Sequence, residues 1–221
     1  SSDVCSSDLF TRVHTLKKYK AWALDMDGTL YHQLPMRGYM ALRLVLHCLL
    51  RPKRIRDILI LRDYRRLRED RFDADSERFN ESQIEETAKK HHLPPKTVAA
   101  IIHDWMTVRP LAVLGLFRRR RLLSAIKNYQ RNGVQMIVYS DNPVDEKLQA
   151  LNFSPDYAFW SGDPLVRCMK PDSKGLRNII DFLHIRESDI LYIGDRDDRD
   201  GLCAKEAGVD YIDVMDFMNI L

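Results

Sequence analysis

Two aspartates stand two positions apart where a short apolar run stops: AWAL is followed by Asp25, Met26, Asp27, Gly28 and Thr29. Two carboxylates on one loop can share a metal ion and still divide the labour, one attacking phosphorus and the other moving a proton. Gly28 and Thr29 sit where the chain must turn sharply, in reach of a substrate phosphate. VQMIVYSDN ends its apolar run at Ser140, a hydroxyl suited to a phosphoryl oxygen. MKPDSKG supplies Lys170, a point charge for an anionic nucleophile and the phosphoryl group. DILYIGDRDDRD closes on Asp195, Asp197, Asp198 and Asp200, oxygen ligands for a hard divalent cation. Asn142 reads equally as a donor to substrate or as a turn residue ahead of Pro143.

The elements that must carry these residues follow from periodicity. AWAL reads as a buried parallel strand with functional residues at its carboxyl end. From Gln33 to about Arg109 the pattern is helical, over Tyr39 to Leu50, Ile55 to Leu67, NESQIEETAKKHH and PPKTVAAIIHDWM. Asn80 is the expected N-cap of the third of these, with Gln83 completing a capping box, and Pro94 and Pro95 open the fourth. Strands and helices then alternate: a helix stopped by Gly133, VQMIVYS, VDEKLQALNF, YAFW, SKGLRNIIDFLHI, DILYIGD, GLCAKEAG and VDYIDV. Alternation of this kind implies an α/β fold with a doubly wound parallel sheet, which binds ligands at the carboxyl ends of its strands. The expected organisation is a Rossmann-like core of residues 10–32 and 110–221, interrupted by a helical cap over 33–109. Ser1 to Leu9 are read as a non-native or disordered tail.

The DxDGT signature at Asp25 to Thr29, the strand ending in Ser140, Lys170 before a helix and the acidic Gly-Asp loop occur in the order found in the haloacid dehalogenase superfamily. The chain resembles its phosphatases of the phosphoglycolate phosphatase type, which carry a helical cap. The resemblance implies that Asp25 forms an aspartyl-phosphate and that Asp27 protonates the leaving group and then activates water. It places Mg²⁺ on Asp25, the Asp27 main-chain carbonyl and Asp195, with Asp200 in support and Asp197 and Asp198 competing for that place. It implies a small phosphorylated metabolite as substrate: a sugar phosphate, phosphoglycolate or a nucleoside monophosphate. The dehalogenase branch lacks an acid at the position of Asp27. A phosphomutase on the same core, and a non-catalytic regulatory or nucleic-acid-binding module using the basic cap, are the rival readings.

The remaining residues favour blander roles. The basic tract RPKRIRDILILRDYRRLREDR reads as the solvated face of an amphipathic helix, its charge offset by Asp57, Asp63, Glu69 and Asp70. RRRR at 118–121 reads as surface, His91 and His92 as a helix end, and Trp105 with Ile101 and Ile102 as cap core. Cys168 is given no role. With 221 residues, 45% of them apolar, the chain can bury one core and an added module. The longest apolar stretch is broken by Arg43 and His47, so no membrane span is expected. Four scattered cysteines fit a reducing, cytoplasmic setting, and a net charge of +3 gives no case for a nucleic-acid partner. The tail around Met215, Phe217, Met218 and Ile220 can pack on the core or against a second subunit, leaving monomer and homodimer both open.

Overall fold

The computed structural model describes Leu16 and residues 18–70 and 79–221; the tail expected at Ser1 to Leu9 lies outside these. The chain forms two compact units, one from the segment up to His32 together with Arg118–Leu221, the other from Gln33–Phe117.

The first unit opens with strand β1 (Ala21–Leu24), all four residues buried. The second unit follows: α1 (Gln33–Leu50), a single 3₁₀ turn, α2 (Ile55–Asp70), α3 (Phe79–His91), α4 (Pro95–His103), a wide π-type turn over Asp104–Val108, and α5 (Arg109–Leu114). Its core gathers Ile60, Tyr64, Val98, Ile101, Ile102 and Trp105, so Trp105 packs where the sequence suggests. The unit runs past the expected boundary at Arg109. Pro110 follows directly on the π-type turn, whose wider hydrogen-bond spacing lets the helical run pass a residue without an N–H, and Val113 is buried in the same cluster. Asn80 lies inside α3 as described rather than at its N-cap, and the buried Gln83 amide has no partner among the described residues. Asp57 and Asp63, expected to offset charge at the surface, are buried. Asp63 takes Lys90 Nζ and His91 Nε2, each at 3.0 Å, which ties α2 to α3 and gives His91 a partner beyond the helix dipole.

The chain then returns to the first unit with α6 (Arg120–Arg131), β2 (Gln135–Ser140), α7 (Asp145–Leu151), β3 (Tyr157–Trp160), α8 (Lys174–Leu183), β4 (Ile190–Gly194), α9 (Leu202–Glu206), β5 (Asp210–Asp213) and α10 (Val214–Ile220). The five strands form one parallel sheet in the order β3-β2-β1-β4-β5. Central β1 pairs Leu24 with Val138 of β2 and with Ile193 of β4, so all three strands end at one level. Gly133, at φ +92°, stops α6 as expected, because only glycine enters that region without cost. Tyr139, Tyr192, Ile137 and Ile179 join the core cluster of this unit. Trp22 packs between Tyr129 and Phe217, with ring centroids 4.4 and 5.1 Å away, so the tail closes on its own core. Among the described residues no helix is long and apolar enough to cross a membrane.

Candidate active site

The loop after β1 begins with Asp25, whose backbone N–H still donates to Ile193 of β4 at 2.9 Å. The strand pairing therefore fixes the first site residue. Its Oδ2 accepts the Thr29 hydroxyl at 3.2 Å, and its Oδ1 lies 2.5 Å from Lys170 Nζ. Lys170 is buried and also reaches Asp200 Oδ1 at 2.6 Å and the Tyr192 hydroxyl at 3.2 Å. Asp25, Asp195 and Asp200 each present an oxygen within 4.8 Å of the others. Burial pushes the Asp25 carboxyl above its ordinary range, against the pull of the Lys170 ammonium and with the help of Asp200. Burial, with Asp200 adding to it, raises Asp195 to about 6.

Two glycines make room for this cluster. A Cβ on Gly28 would stand 1.9 Å from Asp195 Oδ2, and one on Gly194 would stand 2.6 Å from Asp200 Cβ. Gly28 also adopts φ +111°, a conformation that side chains resist. Three carboxylates meet one ammonium here, and the raised Asp25 and Asp195 carboxyls mark a cluster whose charge the protein alone does not balance. The donors are all oxygen. This set fits a hard divalent cation. Asp200 is buried while Asp197 and Asp198 are exposed, and Asp198 pairs outward with Arg196. The wide turn over Asp197–Gly201 turns Asp200 inward: its N–H donates to Arg196 O at 2.7 Å, and its Oδ2 takes Arg196 N at 3.2 Å.

Asp27 belongs to a separate polar group. Lys147 Nζ lies 2.6 and 2.7 Å from its two carboxylate oxygens, the Tyr31 hydroxyl donates at 2.6 Å and Asn142 Nδ2 at 3.1 Å. Burial works against the ionised form here, but the Lys147 ammonium and the three hydrogen-bond donors hold Asp27 below the ordinary carboxylate range. Ser140, at the end of β2, is buried and its Oγ accepts the Asn142 N–H at 3.1 Å. Asn142 thus touches the site through both its backbone and its side chain.

Sequence reasoning named Asp25, Asp27, Ser140, Lys170, Asp195, Asp200 and Asn142, and the structure brings them to one end of the sheet. Gly28 and Thr29 have other immediate tasks than the phosphate contact expected of them: one admits Asp195, the other hydrogen-bonds Asp25. Four residues escaped the sequence. Lys147 came from a helix read only for its pattern. Arg119, expected at the surface, donates from Nη2 to the Gly28 carbonyl at 3.1 Å. Asp141 accepts the Lys170 N–H at 3.0 Å, the Ser161 hydroxyl at 3.2 Å and Arg199 Nη1 at 3.3 Å, so it sets the loop that delivers the lysine. Tyr31 lies four positions beyond Asp27, past a turn over residues 27–30, where no periodic pattern marked it.

No curated protein matches the chain in sequence. Among solved structures it is similar to a 2-haloacid dehalogenase from Pseudomonas syringae, at TM-score 0.63 and 13% identity over 87% of this chain and 85% of that one. A HAD-hydrolase from Bacillus subtilis, solved bound to magnesium, gives TM-score 0.59 and 16% identity over 87% of each chain. A protein from Haemophilus somnus described as a predicted phosphoglycolate phosphatase gives 0.51 and 15% over 88% and 84%. At these identities the likeness is one of fold. The profile of the haloacid dehalogenase-like hydrolases, in contrast, matches residues 19–208 of the sequence itself. Because that match runs through every strand whose end carries the clustered side chains, from β1 to β4, the chain belongs to the haloacid dehalogenase-like hydrolases and is an enzyme of that family.

Proposed function

We propose that the chain hydrolyses phosphate monoesters of small metabolites through an aspartyl-phosphate on Asp25, with Mg²⁺ held by Asp25, the Asp27 main-chain carbonyl, Asp195 and Asp200. The observation that carries this reading is the second carboxylate. Asp27 stands apart from the Asp25, Asp195 and Asp200 cluster, with its own set of donors, as a group reserved for proton transfer would. An ester oxygen leaves as an alkoxide unless it is given a proton, whereas a halide leaves without one.

Asp25 attacks phosphorus; the bond to the ester oxygen breaks as that oxygen takes a proton from Asp27. Water then attacks the aspartyl-phosphate, its proton passes to Asp27, the bond between phosphorus and the Asp25 oxygen breaks, and phosphate departs. In the free protein Asp27 is ionised; a phosphate dianion alongside disfavours that charge and so favours the protonated acid. Lys170 balances the nucleophile and the phosphoryl oxygens, and Ser140 supports the latter. A bound divalent cation supplies charge neutralisation for the phosphoryl group. Residues 33–117 act in this reading as the cap that selects substrate and excludes water.

The test is phosphate release from p-nitrophenyl phosphate and a panel of phosphorylated metabolites, with Mg²⁺ and with EDTA, and halide release from 2-haloacids alongside. Turnover should require the metal and fall by about three orders of magnitude or more in Asp25→Asn. Halide release, or no phosphate from any ester with folded, Mg²⁺-loaded protein, overturns the reading.

A further inference from the structure

We propose that Lys147 is a positioning residue that locks the Asp27 carboxylate in the orientation needed to protonate the leaving group; this deepens the phosphohydrolase reading and rests on it. Lys147 lies 120 positions from Asp27, on α7, the helix that follows β2. Its ammonium meets both carboxylate oxygens at nearly equal distance, 2.6 and 2.7 Å. The ammonium anchors the carboxylate, and the Tyr31 and Asn142 donors, one to each oxygen, set its plane around that anchor. Asn142 adds a third contact from the same side of the sheet, and Tyr31 a fourth from Asp27's own loop. The strand that ends in Ser140 thus also sets, through Lys147 and Asn142, where the carboxylate beyond β1 points. Phosphoryl contact and proton donor are held to one frame.

A purely structural role accounts poorly for this pair. α7 is already anchored by the buried Leu148 and Leu151, and by the Phe153 N–H to Leu148 O bond at 3.0 Å after the helix. The ion pair is largely buried, its side chains 23% and 17% exposed, so a loss of stability alone does not distinguish the two roles. A misdirected general acid, in contrast, slows phosphorylation of Asp25 only when the departing oxygen needs its proton. The effect of losing Lys147 therefore depends on the leaving group, and a structural ion pair has no such dependence.

The experiment compares 2,4-dinitrophenyl phosphate, whose phenolate leaves unaided, with the primary-alkyl phosphate that the wild type turns over fastest. In Lys147→Met, kcat/KM for the alkyl ester should fall by about 10²-fold and kcat/KM for the dinitrophenyl ester by less than about 3-fold, because kcat/KM reports phosphorylation of Asp25 and leaves out the aspartyl-phosphate hydrolysis that both esters share. Lys147→Arg, which keeps a two-point donor, should recover most of the alkyl rate, and retained dinitrophenyl turnover shows that the variant is folded. An equal fall in kcat/KM on both esters overturns the positioning role and leaves phosphohydrolysis standing. Absence of turnover on both esters by wild type removes the function and this inference together.

Discussion

At the scale of single residues, the buried Lys170 is the pivot of the site, because it holds the Asp25 and Asp200 carboxylates at once. Removing one partner of a buried ionic group leaves the others uncompensated, at a cost of about 3–5 kcal/mol. Lys170→Met should therefore lower stability by that order in chemical denaturation without metal, and abolish phosphate release. Asp25, Asp27, Ser140 and Asp195 were legible because each is a polar residue at or just beyond an apolar run, a position where burial demands a reason, and Lys170 because it stands ahead of a helix in the order the motifs require. Lys147 and Arg119 were not, for a physical cause. A long side chain reaches its target through rotamers that leave no periodic trace, and a cation on a helix usually faces water. Asp141 was masked by its neighbour Ser140, which offered a sufficient explanation for that turn.

At the scale of elements, the site depends on backbone that approaches too closely for a side chain. Gly28 and Gly194 sit beyond β1 and at the end of β4, and the carboxylates they admit come from the acidic loop after β4. Gly28→Ala should displace Asp195 and weaken Mg²⁺ binding by about 10–100-fold in a calorimetric titration, since support around a ligand is worth that much. The expected strands and most helices were legible from alternation and from stops such as Gly133. Boundaries were less so. Pro110 reads as a break in a sequence, yet after the π-type turn it is tolerated within the helical run, and the second unit continues to Phe117. The inward turn of Asp200 was likewise hidden, because four aspartates in six residues look alike until the wide turn chooses one.

At the scale of the whole molecule, a cluster of three carboxylates that one ammonium does not balance links metal binding to folding of the unit that contains it. Mg²⁺ should raise the melting temperature of the wild type, by a free energy of about 2.7 kcal/mol when its concentration is a hundred times Kd. Asp195→Asn should lose most of that increment, and Na⁺ at equal ionic strength should not reproduce it. The parallel sheet with its helical insertion was legible as an architecture because chain order alone separates β1 from the next strand. That separation also governs how the protein is made. β1 lies in the middle of the sheet, yet it leaves the ribosome first among the strands, while both of its neighbours, β2 and β4, are still to be translated. The helices of 33–117 make local contacts and can close while β1 waits unpaired. No nascent chain shorter than the acidic loop after β4 holds Asp25, Lys170, Asp195 and Asp200 together, so the cluster forms only once that loop has been made, and a chain interrupted before it carries Asp25 without the groups that surround it.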